Sequence, residues 1–155
     1  MLWNQILLAY DNSQQALRAV EYVGQMFGRV DNVKVIIFGV YDKVPEHDME
    51  DTVFTDQVRA RISALEREKD KGRDNLDEAK KLLLRKGFSE DQVKVKYVEK
   101  KKGVAKDIID EVKSGGYGTV VLGRKGVSNL AGMLFGSVSS GVIGNLVGAT
   151  ICIVE

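Results

Sequence analysis

The 155-residue sequence predicts an α/β fold with a doubly wound, five-stranded parallel sheet. Five short segments have the apolar composition and length of strands buried inside such a sheet or lying at its edge. Segments with helical spacing of apolar residues separate them, and this alternation implies crossover connections between parallel strands. A chain of this length is expected to form a single domain, residues 1–155.

The first strand and the helix after it are predicted near the N-terminus. Gln5 to Tyr10 is a short apolar run that stops at Asp11, which is typical of a strand buried on both faces. Asn12 or Ser13 can cap the following helix, with Gln15 placed three residues after Asn12 as in a capping box. Apolar residues at helical spacing predict its buried face: Leu17, Val20, Val23 and Phe27.

A second buried strand is predicted at Lys34 to Val40, and a long charged helix from about Thr55 to Lys86. The helix carries one apolar stripe with alternating gaps of three and four residues, interrupted by Lys69 and Gly72. We interpret it as one amphipathic helix that lies over the sheet. The stripe consists of Val58, Ile62, Leu65, Leu76, Ala79 and Leu83.

The polar segment between that strand and helix contains a group of potential metal ligands. His47 is followed by Asp48, Glu50 and Asp51. The segment has no second His or Cys and no ligand spacing on a helix, so a solvated acidic loop is the preferred interpretation over a metal site.

The second half of the chain supplies the remaining elements. Val93 to Val98 alternates with lysines, which predicts a strand exposed on one side and near an edge. Gly103 to Lys113 returns to helical spacing, and Thr119 to Leu122 is an apolar strand. A helix is expected over Ser137 to Val147, and Thr150 to Val154 is the last strand.

A glycine-flanked loop follows the fourth predicted strand. Gly123 and Gly126 begin it, and Gly136 and Ser137 end it where a helix starts. Glycine permits close approach and positive φ, and a helix N-terminus supplies unpaired N–H groups with a favourable dipole, so this pattern predicts a phosphate site. Neither a P-loop nor a dinucleotide-binding fingerprint stands in the required context.

The predicted ends of three strands indicate that this loop lies at a crevice along the edge of the sheet. Asp11, Val40 and Gly123 each lie at or just beyond the carboxyl end of a predicted parallel strand. Ligands of doubly wound sheets bind beyond those ends, where the strand order reverses. Residues distant in sequence are therefore expected to meet at one site.

The composition bears on the partners and the location of the protein, although a local charged patch stays possible. The 23 basic and 22 acidic residues nearly cancel, which gives no general reason to expect nucleic acid or an anionic membrane as partner. The single cysteine, Cys152, cannot form an internal disulfide and is expected to be buried, as suits a reducing cytoplasm. No signal peptide is evident, and polar residues and glycines interrupt the uncharged stretch from Gly126 to Val154, so no membrane span is predicted.

The loop pattern resembles a known family motif. Gly123-x-x-Gly126, nine residues, then Gly136-Ser137 resembles the nucleotide-binding motif of the ATP-binding branch of the universal stress proteins. The first strand also ends in Asp-x-Ser, at Asp11 to Ser13, as in that family. The resemblance covers nearly the whole chain and implies a Rossmann-like fold of the adenine nucleotide alpha hydrolase-like kind, with strand order 3-2-1-4-5.

The resemblance implies a role for each matched position. Asp11 would hydrogen-bond the ribose, Ala9 would line the floor of the base pocket, and Val40 would offer backbone groups to adenine. Arg124 or Lys125 would supply positive charge. The ligand would be ATP, with ADP or AMP as alternatives, and Mg²⁺ or Mn²⁺ would be held by the phosphates. The residues expected around those phosphates are Gly123, Gly126, Gly136, Ser137, Val138 and Ser139. In the alternative interpretation, the glycines only form tight turns and Asp11 only caps a helix.

Three functions stay open at this point. We expect a cytoplasmic ATP-binding regulatory module, in which nucleotide orders the loop from Val127 to Phe135 and an unknown protein partner reads the result. The alternatives are a slow ATP hydrolase and a dimeric interaction protein that binds no nucleotide. No residue is assigned a catalytic or metal-binding role, because no general base is evident near the phosphates.

A homodimer is expected through the last strand. Thr150 to Val154 would be an apolar edge strand without lysine, proline or a bulge, and pairing with its own copy would satisfy its open backbone groups. The uncharged surface around Gly141 and Gly144 on the preceding helix is expected to pack closely against another surface. The alternative is that N-terminal residues around Trp3 cover this edge.

Overall fold

A five-stranded, all-parallel sheet forms the centre of the molecule, with strand order β3-β2-β1-β4-β5. The computed structural model describes residues 1–46, 55–127 and 131–155. Both the predicted fold class and the predicted strand order are confirmed. The strands are β1 (Leu2–Ala9), β2 (Lys34–Tyr41), β3 (Val93–Glu99), β4 (Tyr117–Gly123) and β5 (Thr150–Val154).

Helices cover both faces of the sheet. Leu7 and Leu8 of β1 are fully buried on opposite faces, as expected for a strand between two helical layers. One face packs against α1 and α2 through residues such as Leu83, and the other against α3 and α4 through residues such as Ile108. The helices are α1 (Gln14–Phe27), α2 (Asp56–Arg85), α3 (Val104–Gly115) and α4 (Ser137–Asn145).

Helix α1 differs from its sequence prediction in its cap and its buried face. Ser13 is the cap, since its Oγ accepts a hydrogen bond from Ala16 N at 3.1 Å. Asn12 instead adopts a left-handed conformation with φ of 62°. Leu17 was expected to be buried but is 42% exposed, whereas the small residues Ala16 and Ala19 face the core. The face of α1 that packs against the sheet therefore carries small side chains at these two positions.

Helix α2 follows its predicted extent, but its predicted stripe is buried only in part, since Leu65 is half-buried and Val58 is 39% exposed. Ile62, Leu76, Ala79 and Leu83 are buried, and the two interruptions of the stripe face tyrosines. The Lys69 ammonium lies 4.4 Å from the centroid of the Tyr41 ring, a cation–π contact. A Cβ at Gly72 would lie 2.1 Å from the hydroxyl oxygen of Tyr97, so the absent side chain makes room for that ring. His47, Asp48, Glu50 and Asp51 lie outside the described residues.

Several element boundaries shift relative to the prediction; β4, for example, begins at Tyr117, two residues before the predicted start. Strand β1 begins at Leu2, three residues earlier, because its exposed first residues pair with β4 although they are not buried. Helix α4 ends at Asn145, whose side-chain amide donates to the Gly141 carbonyl at 2.8 Å and closes the last turn. As predicted, Gly141 packs closely: a Cβ there would lie 2.8 Å from that of Ala105 on α3. Gly144, in contrast, faces open space.

The two outer strands of the sheet are β3 and β5. The edge position of β3 is confirmed. No strand among the described residues pairs with the outer side of β5, and β1, which carries Trp3, lies at the centre of the sheet. The alternative interpretation, in which residues around Trp3 cover the β5 edge, is therefore wrong. Cys152 on β5 is partly exposed, not buried as predicted, because it lies on this outer strand.

The helices were compared with the length and hydropathy that a membrane-spanning segment requires. Across residues 1–46, 55–127 and 131–155, no helix is long and apolar enough to cross a membrane.

Candidate functional site

The strand order reverses between β1 and β4, and a cavity of about 130 Å³ lies at their carboxyl ends. Leu8 of β1 pairs in register with Val121 of β4, so the ends of these strands lie side by side. The chain leaves them toward opposite faces, which opens a crevice at this position. The walls are mostly apolar and include Phe38, Leu122, Val104 and Ile108.

Eight of the ten predicted site residues line this cavity. They come from three strand ends, the loop after β4 and the first turn of α4. The eight are Ala9, Asp11, Val40, Gly123, Lys125, Gly126, Val138 and Ser139. Gly136 and Ser137 do not line it, but they are the cap and first residue of α4, directly before Val138. The structure thus brings the predicted residues together at one edge of the sheet.

The Asp11 carboxylate joins the start of α1 to the loop after β4. Its Oδ1 accepts from Ser13 N at 3.0 Å, and its Oδ2 accepts from Val127 N at 3.1 Å. A carboxylate offers about four acceptor positions. Asp11 can therefore hold the chain in place and still accept hydrogen bonds from a ligand hydroxyl.

The three loop glycines each allow close packing of protein on protein. A Cβ at Gly123 would lie 2.9 Å from the Cβ of Gln15, and one at Gly126 would lie 2.5 Å from Asp11 Oδ2. A Cβ at Gly136 would lie 3.2 Å from the Cα of Lys125. The glycines thus draw the first turns of α1 and α4 against the loop, whatever they contribute to a ligand.

The first turn of α4 presents backbone donors. Gly136 N donates to the Arg124 carbonyl at 2.9 Å and so fixes the helix start. The N–H groups of Ser137, Val138 and Ser139 have no hydrogen-bonded acceptor within the described ranges, as expected at a helix N-terminus. These donors and the positive end of the helix dipole suit an anion.

The Ser139 hydroxyl has a structural partner. It is buried and lies 2.6 Å from the Arg124 carbonyl oxygen and 3.1 Å from that of Gly136, to either of which it can donate. Its single proton is therefore used within the protein. A contribution of Ser139 to an anion would come from its backbone N–H.

Of the two basic residues expected to supply positive charge, Lys125 and not Arg124 lies at the cavity. Lys125 lines it and makes no ion pair with any residue that the structure describes. The Arg124 guanidinium instead pairs with the carboxylate of Glu155. Lys125 also borders an open depression of about 380 Å³ at the first turn of α1, which Arg18 lines as well.

Tyr10 is a neutral group at the cavity wall. Burial, together with the nearby charge of Asp11, raises the pKa of its hydroxyl above the ordinary value. The phenol therefore stays protonated at neutral pH, and its hydroxyl donates to Asn12 Oδ1 at 3.3 Å. It cannot serve as a base there.

Sequence reasoning missed Gln15 and the contribution of α3. The Gln15 Oε1 accepts from Lys125 N at 2.5 Å, a contact between residues 110 positions apart that no local pattern reports. Val104 and Ile108 of α3 complete the apolar wall, although their helical spacing indicated only an ordinary core helix. Their position follows from the topology.

Asp107 should stabilise the α3 end of the cavity. It is 9% exposed, and its carboxylate accepts from Lys101 N at 2.9 Å and Lys102 N at 3.0 Å. Asp107→Ala leaves both donors unpaired and should lower the free energy of unfolding by about 1–3 kcal/mol in urea denaturation. Asp110→Ala removes only an exposed ion pair with Lys102 and should change it little. Equal stabilities of the two variants would contradict the assignment.

Several solved structures share this architecture. The universal stress protein UspA from Lactobacillus plantarum has a TM-score of 0.74 at 18% identity, covering 100% of this chain and 99% of that one. A universal stress protein solved in complex with cAMP has a TM-score of 0.62 at 22% identity, covering 97% and 95%. One from Archaeoglobus fulgidus in complex with dAMP has a TM-score of 0.61 at 17% identity, covering 100% of both chains.

Sequence comparison extends the match beyond the fold. No curated protein matches the chain significantly. The profile described as the universal stress protein family matches residues 3–146, which include the loop and helix-start positions from Gly123 to Ser137. With the profile spanning most of the sequence and the sheet in the expected order, the chain belongs to the universal stress protein family.

Proposed function

We propose that the protein binds ATP at the cavity between β1 and β4 and acts as a nucleotide-dependent regulatory module. The observation that carries this proposal is the convergence of Ala9, Asp11 and Val40 with the Lys125 loop and the first turn of α4 around one apolar cavity. Adenine occupies the cavity, where Val40 offers backbone groups. Asp11 accepts from the ribose, and the phosphates lie toward Lys125 and the α4 N–H groups.

The size and chemistry of the cavity support this arrangement. Pockets that enclose a whole ligand of this kind measure about 300–1,000 Å³, and this one measures about 130 Å³. A cavity of this size suits the base, and we propose that the sugar and phosphates extend into the open crevice beside Lys125. The relatives in complex with cAMP and dAMP both hold an adenine nucleotide, which supports an adenine ligand here.

Regulation is favoured over hydrolysis by the chemistry around the cavity. The ionisable side chains that line it are Tyr10, Asp11 and Lys125. Tyr10 is held neutral, Lys125 is a cation, and Asp11 accepts from two backbone N–H groups and the proposed ribose. Among the described residues that line the cavity or the depression beside Lys125, Asp11 is the one carboxylate, and we assign it to the ribose. Mg²⁺ or Mn²⁺ is held mainly by the phosphates.

Turnover of ATP should accordingly be slow. With Mg²⁺ or Mn²⁺ present, we expect a rate far below 1 per second, roughly the lower end of the usual enzyme range. Phosphate release under saturating ATP measures it. A rate of roughly 1 per second or more would replace the regulatory proposal with that of an ATP hydrolase.

Two measurements test nucleotide binding itself. Mass spectrometry of the denatured, freshly purified protein identifies the adenine nucleotide carried with it, and so distinguishes ATP from ADP or AMP. Calorimetric titration of the nucleotide-free protein with ATP and GTP then gives affinity and base selectivity. A protein that binds neither would support the alternative of a dimeric interaction protein without nucleotide.

We further propose a homodimer through β5 and a protein partner that reads the loop after β4. Ile151, Ile153 and Val154 are only partly buried on an edge strand without a neighbour among the described strands. On the loop, Met133 and Leu134 are 55% and 67% exposed, which suits a partner with an apolar surface. The partly exposed, unpaired Cys152 is compatible with a cytoplasmic location.

A further inference from the structure

One side chain in the first turn of α1 and one just before this helix hold the backbone of the loop after β4. Gln15 Oε1 accepts from Lys125 N at 2.5 Å, and Asp11 Oδ2 accepts from Val127 N at 3.1 Å. The two acceptors bind N–H groups on either side of Gly126. The loop segment 125–127 is therefore fastened to a helix that is fixed on the sheet by its own buried residues.

We propose that Gln15 is a positioning residue, which sets the Lys125–Gly126 backbone for the phosphate groups of the bound nucleotide. This inference rests on the proposed function. Gln15 reaches the loop because Gly123 has no side chain, which lets the Gln15 Cβ approach to 2.9 Å of the position that a Cβ would take. Gly123 and Gln15 therefore act together to position the loop after β4.

Because of its position, Gln15 is expected to affect the binding of the phosphates and not that of the base. Gln15 does not line the apolar cavity proposed for the base, but it borders the depression that Lys125 and Arg18 share. Gly136 packs against Lys125 from the other side, with 3.2 Å between the Lys125 Cα and the position of a Gly136 Cβ. A displaced Lys125 backbone therefore alters the contact with the first turn of α4, where the phosphates are proposed to lie.

Paired methionine variants test the proposal. Gln15→Met keeps the length of the side chain and removes the acceptor. Gln25→Met makes the same change at an exposed position near the other end of α1, outside the depression, whose side chain has no hydrogen bond to the rest of the described chain. Calorimetric titrations with ATP and with adenosine separate the phosphate contribution from that of the base and sugar.

We expect Gln15→Met to lower the ATP affinity about tenfold and to change the adenosine affinity less than twofold. Gln25→Met should change neither. Hydrogen exchange of the Lys125 amide in the nucleotide-free protein should accelerate in Gln15→Met alone, since this N–H loses its acceptor.

Four results would overturn the proposal. An unchanged ATP affinity in Gln15→Met shows that the loop does not need this contact. Equal losses for ATP and adenosine indicate general damage to the site. A wild-type protein that binds ATP no better than adenosine removes the phosphate role of the loop, whereas one that binds neither ligand removes the proposed function as well.

Discussion

Replacing Gly136 by valine should lower the affinity for ATP at least tenfold while the protein still folds. Gly136 has φ of −74° and ψ of 169°, an extended conformation that valine adopts without strain. Its Cβ would lie 3.2 Å from the Lys125 Cα and 3.5 Å from Gly126 N. The added methyl groups should push the loop away from the first turn of α4, and so separate the two proposed sources of phosphate contacts.

Gly144→Val is the matched control for this prediction. It makes the same substitution on the same helix, where a Cβ meets nothing within 4 Å. Its ATP affinity and its circular dichroism spectrum should equal those of the wild type. If calorimetry gives Gly136→Val the affinity of the wild type, the phosphates do not lie at this helix start.

Replacing Ile153 by proline should convert the proposed dimer into a monomer. Arg124 N donates to the Val154 carbonyl at 2.7 Å, so the backbone groups of Val154 point toward β4. Successive residues of a strand direct these groups to opposite sides, and the N–H of Ile153 therefore points to the open edge. Proline removes that donor and places a ring in the edge, yet it leaves the pairing of β4 with β5 intact.

Ile153→Val is the control, because it keeps the N–H and a β-branched side chain. Ile153→Lys is a less direct probe, since the Ile153 side chain packs against the α3 and α4 core and a lysine there would also disturb the fold. Sedimentation at micromolar concentration should show a dimer for the wild type and for Ile153→Val, and a monomer for Ile153→Pro. A wild-type monomer, or a dimer in all three, would place the interface elsewhere or remove it.

The elements that sequence predicts well are those whose pattern is local. Lys34 to Val40 and Thr150 to Val154 are short apolar runs, and the structure places strands there with end shifts of at most one residue. The apolar stripe of α2 likewise predicts the buried face of this helix, on which Ile62, Leu76 and Leu83 lie. Burial against a sheet leaves a periodic pattern of apolar residues in the sequence of each element. The strand order, in contrast, was predicted from the family resemblance.

What sequence could not predict depends on contacts between distant segments. Leu17 has the helical spacing of a core residue, yet α1 turns Ala16 inward because its first turn packs against Gly123 of β4. Gln15 suggested a capping box, but its side chain reaches Lys125, 110 positions away, instead. In both cases a residue from the other half of the chain determines where the α1 side chain lies, and the local spacing of residues carries no information about that contact.

Arg124 lies between the proposed phosphate site and the proposed dimer edge. Its N–H binds the last residue of β5, its carbonyl accepts from Gly136 N and lies within reach of the Ser139 hydroxyl, and its guanidinium pairs with Glu155. One residue therefore connects the two surfaces. If a ligand at the first turn of α4 moves this backbone, nucleotide affinity and self-association become thermodynamically coupled, and each must change the other by the same factor. The protein would then respond to its own concentration as well as to that of the nucleotide.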